Sequence, residues 1–251
     1  QTQFKRLTSF GGSQRKVITM KVKQFRYARD NLGYLVYNER FAMAIDGGAD
    51  GPMLAFASGC GLTLRFVTNT HSHADHTVGN RCLLAETGAV YLDRNALLKT
   101  GKIEMEGETM EVINTPGHSR DSVSFYTGEV LIAGDTLFNG TVGNCFSGDM
   151  EAFLHSLKKL LALPVDTVVY AGHDYVKESM AVAKSIEPDN PHIDEFLCRY
   201  DHGLVRSTLA EELRVNPYIR FNDEKIITVL VQRGLPVATE FQRWKSIMSL
   251  G

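Results

Sequence analysis

Residues 71–76 are His-Ser-His-Ala-Asp-His, which places four metal-binding side chains within six positions. Imidazole and carboxylate groups suit zinc, iron and manganese, whereas calcium and magnesium prefer shells of oxygen alone. A lone histidine in a loop is usually a surface or packing residue, and His155, His192 and His202 are interpreted in that way. The spacing H-x-H-x-D-H is too specific for that explanation and predicts a metal centre.

Three further donors each follow a strand-like segment. His118 follows MEVINTPG, Asp135 follows EVLIAG, and His173 follows VVYAG, just as His71 follows LRFVTNT. Loops at the carboxyl ends of strands are where α/β folds carry their chemistry. We therefore expect all of these donors to converge on one edge of a sheet.

Seven donors are too many for one tetrahedral ion, and their spacing divides them between two. The predicted ligands are His71, His73 and His118 for one ion, Asp75, His76 and His173 for the other, and Asp135 as the bridge. The predicted cofactors are thus two divalent metal ions, with zinc expected first and iron or manganese as alternatives.

Two such ions would hold a bridging solvent molecule as hydroxide, because a metal can lower the pKa of water from 15.7 toward about 7. The predicted reaction is hydrolysis of an acyl compound without a serine or cysteine nucleophile, with Asp75 and Asp135 as the carboxylates of the catalytic centre. A purely structural metal is disfavoured, because none of the cysteines is among the donors.

The elements that must position these donors are those of an α/β protein. Strand-like segments rich in Val, Ile, Tyr, Phe and Thr are YLVYNERFAMAID, TLRFVTNT, AVYLD, MEVINTPG, VSFYTGEVLIAGD and DTVVYAGHD. GPMLAFASGCG and DMEAFLHSLKKLLAL are predicted helices, the second with one apolar face. We predict a metal-binding domain over residues 20–175.

The character of the sequence changes beyond Tyr175. VKESMAVAKSIEP is predicted to be a helix that stops at Pro188, TLAEELRV opens with a capping box, and the last predicted helix carries an apolar stripe that includes Trp244. KIITVLVQRG is ambiguous between helix and strand. We predict a helical, substrate-binding domain over residues 176–251.

Residues 1–19 differ from the rest because they contain several Lys and Arg residues and no acid. They are interpreted as an upstream extension, a cloning remnant or the end of an organellar transit peptide. They are left out of the predicted fold.

Composition excludes several classes of partner. The chain has 251 residues, a formal net charge of −2 and no long block of like charge, so neither nucleic acid nor a membrane surface is expected as a partner. No apolar run is long enough to cross a bilayer. Four scattered cysteines suit a reducing compartment. We expect a small-molecule substrate and a cytoplasmic location, or an organellar matrix if residues 1–19 are a transit remnant.

The motifs HSHADH, TPGHS, AGDTLF and AGHDY resemble the metal motifs of the metallo-β-lactamase superfamily, and in particular of glyoxalase II, the hydroxyacylglutathione hydrolases. STLAEELRVNPYIR, at 207–220, resembles the signature of the helical domain that this family adds behind its metal domain. The resemblance implies an αββα sandwich followed by a C-terminal helical domain. It also implies hydrolysis of an S-acyl thiol, such as S-lactoylglutathione, to a hydroxy acid and a free thiol.

The resemblance further implies where the thiol carrier binds. The family holds glutathione through a Lys and a Tyr in the loop after the bridging aspartate, a Tyr beyond the last metal histidine, and an Arg-x-x-Lys near the C-terminus. Tyr175 and Lys245 match this pattern, but Asn144 and Phe146 stand at the two loop positions. A thioester hydrolase is therefore predicted more firmly than a glutathione thioester hydrolase.

The C-terminal motif also departs from the family. Gln242 stands where the Arg is expected, and the neighbouring Arg243 is a candidate replacement. Packing between the two domains is the alternative explanation for Phe146 and Trp244.

Other functions stay open from the sequence. A sulfur dioxygenase of the same superfamily would use a single iron, but the chain lacks the expected G-C-G-R-T loop and carries an additional helical tail. A lactonase or β-lactamase would use the same nucleophile. A non-catalytic metal-binding or partner-binding module is the third alternative.

Overall fold

A computed structural model describes residues 20–250, so the predicted extension at 1–19 lies outside the described residues. The strands are β1 Lys21–Tyr27, β2 Asn31–Tyr37, β3 Phe41–Ile45, β4 Thr63–Thr68, β5 Val90–Tyr91, β6 Lys102–Met105, β7 Glu108–Asn114, β8 Val123–Tyr126, β9 Val130–Gly134, β10 Val168–Ala171 and β11 Ser207–Thr208. The helices are α1 Asp50–Gly59, α2 Ala74–Thr77, α3 Asn80–Thr87, α4 Arg94–Thr100, α5 Met150–Leu161, α6 Val176–Ile186, α7 Pro191–Arg199, α8 Leu209–Val215, α9 Glu224–Gln232 and α10 Glu240–Met248.

The strands form two sheets. The first has the order β1-β2-β3-β4-β5, and the second has the order β11-β10-β9-β8-β7-β6. β3 and β4 run parallel in the first sheet, as do β9 and β10 in the second. In the second sheet β7 and β9 are both antiparallel to β8, so β7, β9 and β10 all end at the same side of that sheet.

The main hydrophobic core lies between the two sheets. Met43 of β3, Phe125 of β8 and Ile132 of β9 are buried in one cluster, together with Tyr34 and Tyr170. The Tyr34 hydroxyl donates a hydrogen bond to the Ala171 carbonyl at 2.5 Å, which joins the sheets next to the start of the AGHDY motif. Helices α1 and α3 cover the outer face of the first sheet, and α5 covers that of the second. The predicted αββα sandwich is confirmed.

The chain beyond Tyr175 is mainly helical, as predicted, and the first eight residues of KIITVLVQRG lie in helix α9. Met180 of α6 is buried in the core between the sheets, whereas Trp244 of α10 is buried against α5. Strand β11 pairs with β10, so the tail also supplies an edge strand of the second sheet. The core is therefore continuous across residue 175, and the division at that position remains a prediction.

A buried carboxylate fastens the tail to the loop that follows β9. Glu212 is fully buried; its Oε1 accepts a hydrogen bond from the Ser207 hydroxyl at 2.6 Å, and its Oε2 accepts from the Gly140 amide at 2.9 Å. Asn216 donates to the same Oε2 at 3.0 Å and to the Thr141 carbonyl at 3.0 Å. Residues within the segment 207–220 thus hold the loop that leads to Asn144.

Two general features complete the fold. Among residues 20–250, no helix combines the length and the apolar character needed to cross a bilayer. The cysteines, all four of which lie in this part of the chain, are free thiols.

Candidate metal centre

The predicted ligands come from strand ends in both sheets. His71 follows β4 of the first sheet, whereas His118, Asp135 and His173 follow β7, β9 and β10 of the second. The prediction that the donors converge on one edge of a single sheet is therefore wrong. Because the two sheets are packed face to face, strand ends from both meet at one end of the sandwich, and the donors gather there.

One group of donors is His71, His73 and His118. The Nδ1 of His73 lies 2.9 Å from the Nε2 of His71 and 3.1 Å from the Nε2 of His118. His71 and His118 are buried, and His73 is half-buried. The three nitrogens lie within 4.8 Å of one another, so this group could hold a metal ion.

A second group is Asp75, His76 and His173. The Nε2 atoms of His76 and His173 lie 3.2 Å apart. The Oδ2 of Asp75 lies 3.4 Å from the Nε2 of His173 and 3.6 Å from that of His76. Helix α2 carries Asp75 and His76, which explains how the chain turns between the two groups after His73.

Asp135 lies between the two groups. Its Oδ2 is 3.4 Å from the Nε2 of His118 and 3.4 Å from the Nε2 of His173, and its Oδ1 is 3.4 Å from the Nε2 of His76. The Oδ1 is buried and receives no hydrogen bond from any residue in 20–250. A buried carboxylate oxygen without a hydrogen bond is costly unless a cation satisfies it.

The tautomers of three histidines follow from the acceptors behind them. His118 Nδ1 donates to the Asn144 carbonyl at 3.0 Å, His76 Nδ1 to the Asp46 carboxylate at 3.0 Å, and His173 Nδ1 to the Asp30 carboxylate at 2.9 Å. In the neutral imidazoles the Nε2 atoms therefore carry lone pairs. Those of His76 and His173 lie 3.2 Å apart, a distance that requires a proton or a metal ion at one of the two nitrogens. The donor set thus fits divalent metal ions at both groups.

Asp46 supports one ligand in each group. It is fully buried and has a positive φ of 52°. Besides its contact with His76, its Oδ2 accepts the Thr70 hydroxyl at 2.7 Å, which leaves the Thr70 oxygen to accept from His71 Nδ1 at 3.1 Å. Sequence reasoning missed Asp46, although it ends the segment FAMAID as Asp135 ends EVLIAGD.

The turn between β1 and β2 supports the second group. Asn31 Nδ2 donates to the Asp75 Oδ2 at 2.9 Å, and the Tyr27 hydroxyl donates to the Asp75 carbonyl at 3.0 Å. Asp30 accepts from His173 through its side chain, and its carbonyl accepts from the Asp174 amide at 2.8 Å. These residues were also missed, and no motif in the sequence marks them, because their partners are more than forty positions away along the chain.

The electrostatics keep the central carboxylate ionised. Burial alone would raise the pKa of Asp135, but the neighbouring imidazoles of His173 and His76 hold it well below its usual range. Burial lowers the pKa of His71 to about 4, so this imidazole is neutral at pH 7. Burial also lowers the pKa of His118. For His76 the carboxylates of Asp46 and Asp135 outweigh burial and raise the pKa to about 11.

The predicted substrate-binding residues lie in different places. Tyr175 stacks on His173 with ring centroids 5.0 Å apart, and it lines a hollow together with Asn144. Phe146 is 69% exposed, and its ring lies 5.2 Å from that of His118. It is not packed between domains, which corrects that interpretation. Trp244 is fully buried against Phe153 at 5.6 Å, so for this residue the packing interpretation is confirmed.

The side chains of Arg243 and Lys245, the two predicted cations of helix α10, lie in different surroundings. Arg243 donates to the Asn222 side chain at 2.9 Å and to the Val237 carbonyl at 3.0 Å, so the structure does not bring it to the donor cluster. Gln242 closes a capping box with Thr239. Lys245 is exposed and lines a hollow together with Ser147, the residue after Phe146.

Comparison with known proteins agrees with this geometry. Residues 87–173 match the metallo-beta-lactamase superfamily, and residues 174–247 match the hydroxyacylglutathione hydrolase C-terminus. A hydroxyacylglutathione hydrolase of Pseudoalteromonas translucida is 31% identical over 92% of this chain and 97% of its own length, and one of Synechococcus sp. is 33% identical over 88% and 96%. The crystal structure of ETHE1 from Myxococcus xanthus is 25% identical with a TM-score of 0.63, covering 90% of this chain and 100% of that one. The chain belongs to the hydroxyacylglutathione hydrolase family of the metallo-β-lactamase superfamily and is a metal-dependent hydrolase.

Proposed function

We propose that the protein hydrolyses S-2-hydroxyacyl thioesters, such as those of glutathione, to a hydroxy acid and a free thiol. The observation that carries this proposal is the pair of donor groups joined by Asp135 at one open end of the sandwich. The name hydroxyacylglutathione hydrolase, borne by the relatives, supports the same substrate class.

The residues proposed to hold two divalent ions are those of the two groups and the aspartate between them. They are His71, His73 and His118, then Asp75, His76 and His173, and Asp135. When bound, divalent ions supply Lewis acidity toward a carbonyl oxygen and lower the pKa of water toward neutrality. Zinc is the ion expected first, and iron and manganese suit the same imidazole and carboxylate donors.

The exposed side of the cluster is where substrate is expected to approach. The side chain of Asp75 is 46% exposed and His73 is half-buried, whereas His71, His76 and His118 are buried. The exposed ring of Phe146 beside His118 offers an apolar surface to an acyl thiol. A thiolate leaving group needs little protonation, because the pKa of a thiol is about 8.5, so no general acid is required of the chain.

Thiol release from S-lactoylglutathione tests this proposal. We expect the metal-loaded protein to release thiol, to lose turnover after treatment with a chelator and to regain it with added zinc. A metal-loaded sample that is inert toward a panel of acyl thiols would contradict the proposal. Oxygen uptake with glutathione persulfide would instead support the dioxygenase alternative.

Restoring the family residues in the loop after Asp135 provides a second test. We expect Asn144→Lys combined with Phe146→Tyr to lower the KM for S-lactoylglutathione by about threefold, because a cation and a hydroxyl can make charge-assisted hydrogen bonds to a carboxylate. Steady-state kinetics of the double variant measure this change. An unchanged KM would place the thiol carrier away from this loop.

The cellular location stays a proposal as well. We propose a cytoplasmic protein, because all four cysteines are free thiols and exposed or half-buried, which suits a reducing compartment. An organellar matrix would suit the same thiols. Locating the tagged protein in its native cells would decide between the two compartments.

A further inference from the structure

A hollow of about 530 Å³ opens beside Ser147, the residue after Phe146, and helix α10 lines part of it. It lies between the loop after His118, the segment from Ser147 to the first turn of α5, and the face of α10 that carries Phe241 and Lys245. It therefore spans the metal-binding part of the chain and the helical tail. None of the predicted metal ligands lines it.

Two cations from different elements face this hollow. Arg120 and Lys245 both line it and both are exposed. Within the described range 20–250, neither residue has an ion-pair partner. The Lys245 Nζ lies 5.7 Å from the centroid of the Phe241 ring. Both charges are therefore available to an incoming anion.

Two acids also line the hollow. Asp149 is the N-cap of α5, and its Oδ1 accepts the Ala152 amide at 2.9 Å. Glu151 lies in the first turn of the same helix, and both acids are exposed. A ligand with carboxylates and an ammonium group would suit two cations beside two acids better than a simple anion would.

Two segments that line the hollow also carry residues close to the candidate metal centre. They are the loop after β7, which contains Arg120, and the loop after β9, which contains Ser147. Arg120 lies two positions after His118 in the chain. The Ser147 hydroxyl donates to the Gly117 carbonyl at 2.6 Å, which holds the loop after β9 against the loop after β7. The ring of Phe146, next to Ser147 in the chain, lies 5.2 Å from that of His118 in an edge arrangement. A molecule whose acyl group reaches the donor cluster can extend past Phe146 into the hollow.

We propose that Arg120, together with Lys245, binds a carboxylate of the thiol carrier and makes the enzyme selective for thioesters of carboxylated thiols. This inference rests on the proposed function. Arg243, the cation that the sequence offered for this task, is held by Asn222 and Val237 instead. Arg120 approaches the carrier from the metal-binding part of the chain, so both parts of the molecule contribute to recognition.

Kinetics of Arg120→Ala with two carriers test the proposal. We expect the KM for S-lactoylglutathione to rise about tenfold with kcat within about twofold of wild type, because one charge-assisted hydrogen bond is lost. The KM for the uncharged S-lactoyl-N-acetylcysteamine should not change. Arg120→Lys should recover part of the loss, since it keeps the charge but not the two-pronged geometry of a guanidinium.

Arg29→Ala is the matched control. Arg29 is also an exposed arginine beside Tyr175, but it lines a separate hollow with Asp30 and Lys177. We expect its KM for S-lactoylglutathione to stay within about twofold of wild type, as for a surface residue without a ligand contact. A rise in KM for Arg29→Ala but not for Arg120→Ala would move the carrier to that hollow and overturn the proposal. Equal rises for both carriers in Arg120→Ala would show a structural effect and would also overturn it.

A binding measurement separates this proposal from the proposed function. Calorimetry with S-methylglutathione needs no turnover, and we expect Arg120→Ala to raise the Kd about tenfold. If wild type hydrolyses no thioester but shows this difference in Kd, the proposed function fails while the carrier site stands. If wild type hydrolyses thioesters and Arg120→Ala leaves both KM and Kd unchanged, the carrier site fails alone.

Discussion

Asp135→Asn is expected to remove metal from both groups of ligands and to lower kcat for S-lactoylglutathione by at least about 10³-fold, which corresponds to ~4 kcal/mol of activation free energy. The substitution hardly changes the shape of the side chain, but it removes the negative charge that lies 3.4 Å from His118 and 3.4 Å from His173. An amide also turns two N–H groups toward imidazole nitrogens whose lone pairs are needed for the metal. Both positions should therefore lose affinity together.

His173→Ala provides the contrast. His173 belongs to the group with Asp75 and His76, so its loss should chiefly empty that position and leave the position at His71 filled. Elemental analysis of the purified variants measures the difference, and thermal unfolding of the metal-free proteins checks that each variant folds. A metal content in Asp135→Asn equal to that of wild type would show that Asp135 is not the bridge.

The division of the donors between two ions rests on the local spacing of residues 71–76 and remains a prediction. His71 and His73 are two apart in extended chain, so they face one side, and helix α2 then turns Asp75 and His76 toward the other. The residues behind the ligands could not be found in this way. Asp46 has the same setting as Asp135, a carboxylate at the end of a strand, and only the parallel pairing of β3 with β4 shows that it meets His76.

Secondary structure was predicted correctly where the elements are long and their apolar residues recur with a clear period. The segments predicted to be strands contain strands, and α5 presents the apolar face that was predicted. Short elements such as β6 and β11 were not predicted, because four or two residues give no periodicity. The continuity of the core across residue 175 also has no local signal, since it arises from contacts between Met180 and strands far away in the chain.

The capping box at the N-terminus of α10 determines which way the side chains of Arg243 and Lys245 face. Thr239 and Gln242 form a capping box, which fixes the first turn and thereby the rotation of every later residue. Trp244 then faces α5, Lys245 lies on the side of the hollow, and Arg243 reaches back to Asn222. The T-x-x-Q spacing was visible in the sequence, but the position of α5 relative to α10 was not.

Asp30→Ala is expected to weaken one metal position and spare the other. Asp30 accepts the Nδ1 proton of His173 at 2.9 Å and touches no ligand of the group around His71. Loss of such a carboxylate behind a metal-binding histidine typically lowers metal affinity about 10–100-fold, because the imidazole loses both its orientation and some of its basicity. Asp30→Asn keeps an acceptor for the Nδ1 proton without the charge, so it should lose less affinity than Asp30→Ala.

Titration of the metal-free variants with zinc, followed by calorimetry, resolves the two positions. In Asp30→Ala the first equivalent should bind as in wild type, and the second should bind about 10–100-fold more weakly, as expected for a lost partner of a single ligand. Asp166→Ala, at an exposed aspartate in the turn before β10, serves as a control and should bind both equivalents as wild type does. Equal weakening of both equivalents in Asp30→Ala would mean that the turn between β1 and β2 supports the whole centre. Since the structure connects this turn to His173 and Asp75 alone among the predicted ligands in residues 20–250, the expected result is a protein that keeps one ion.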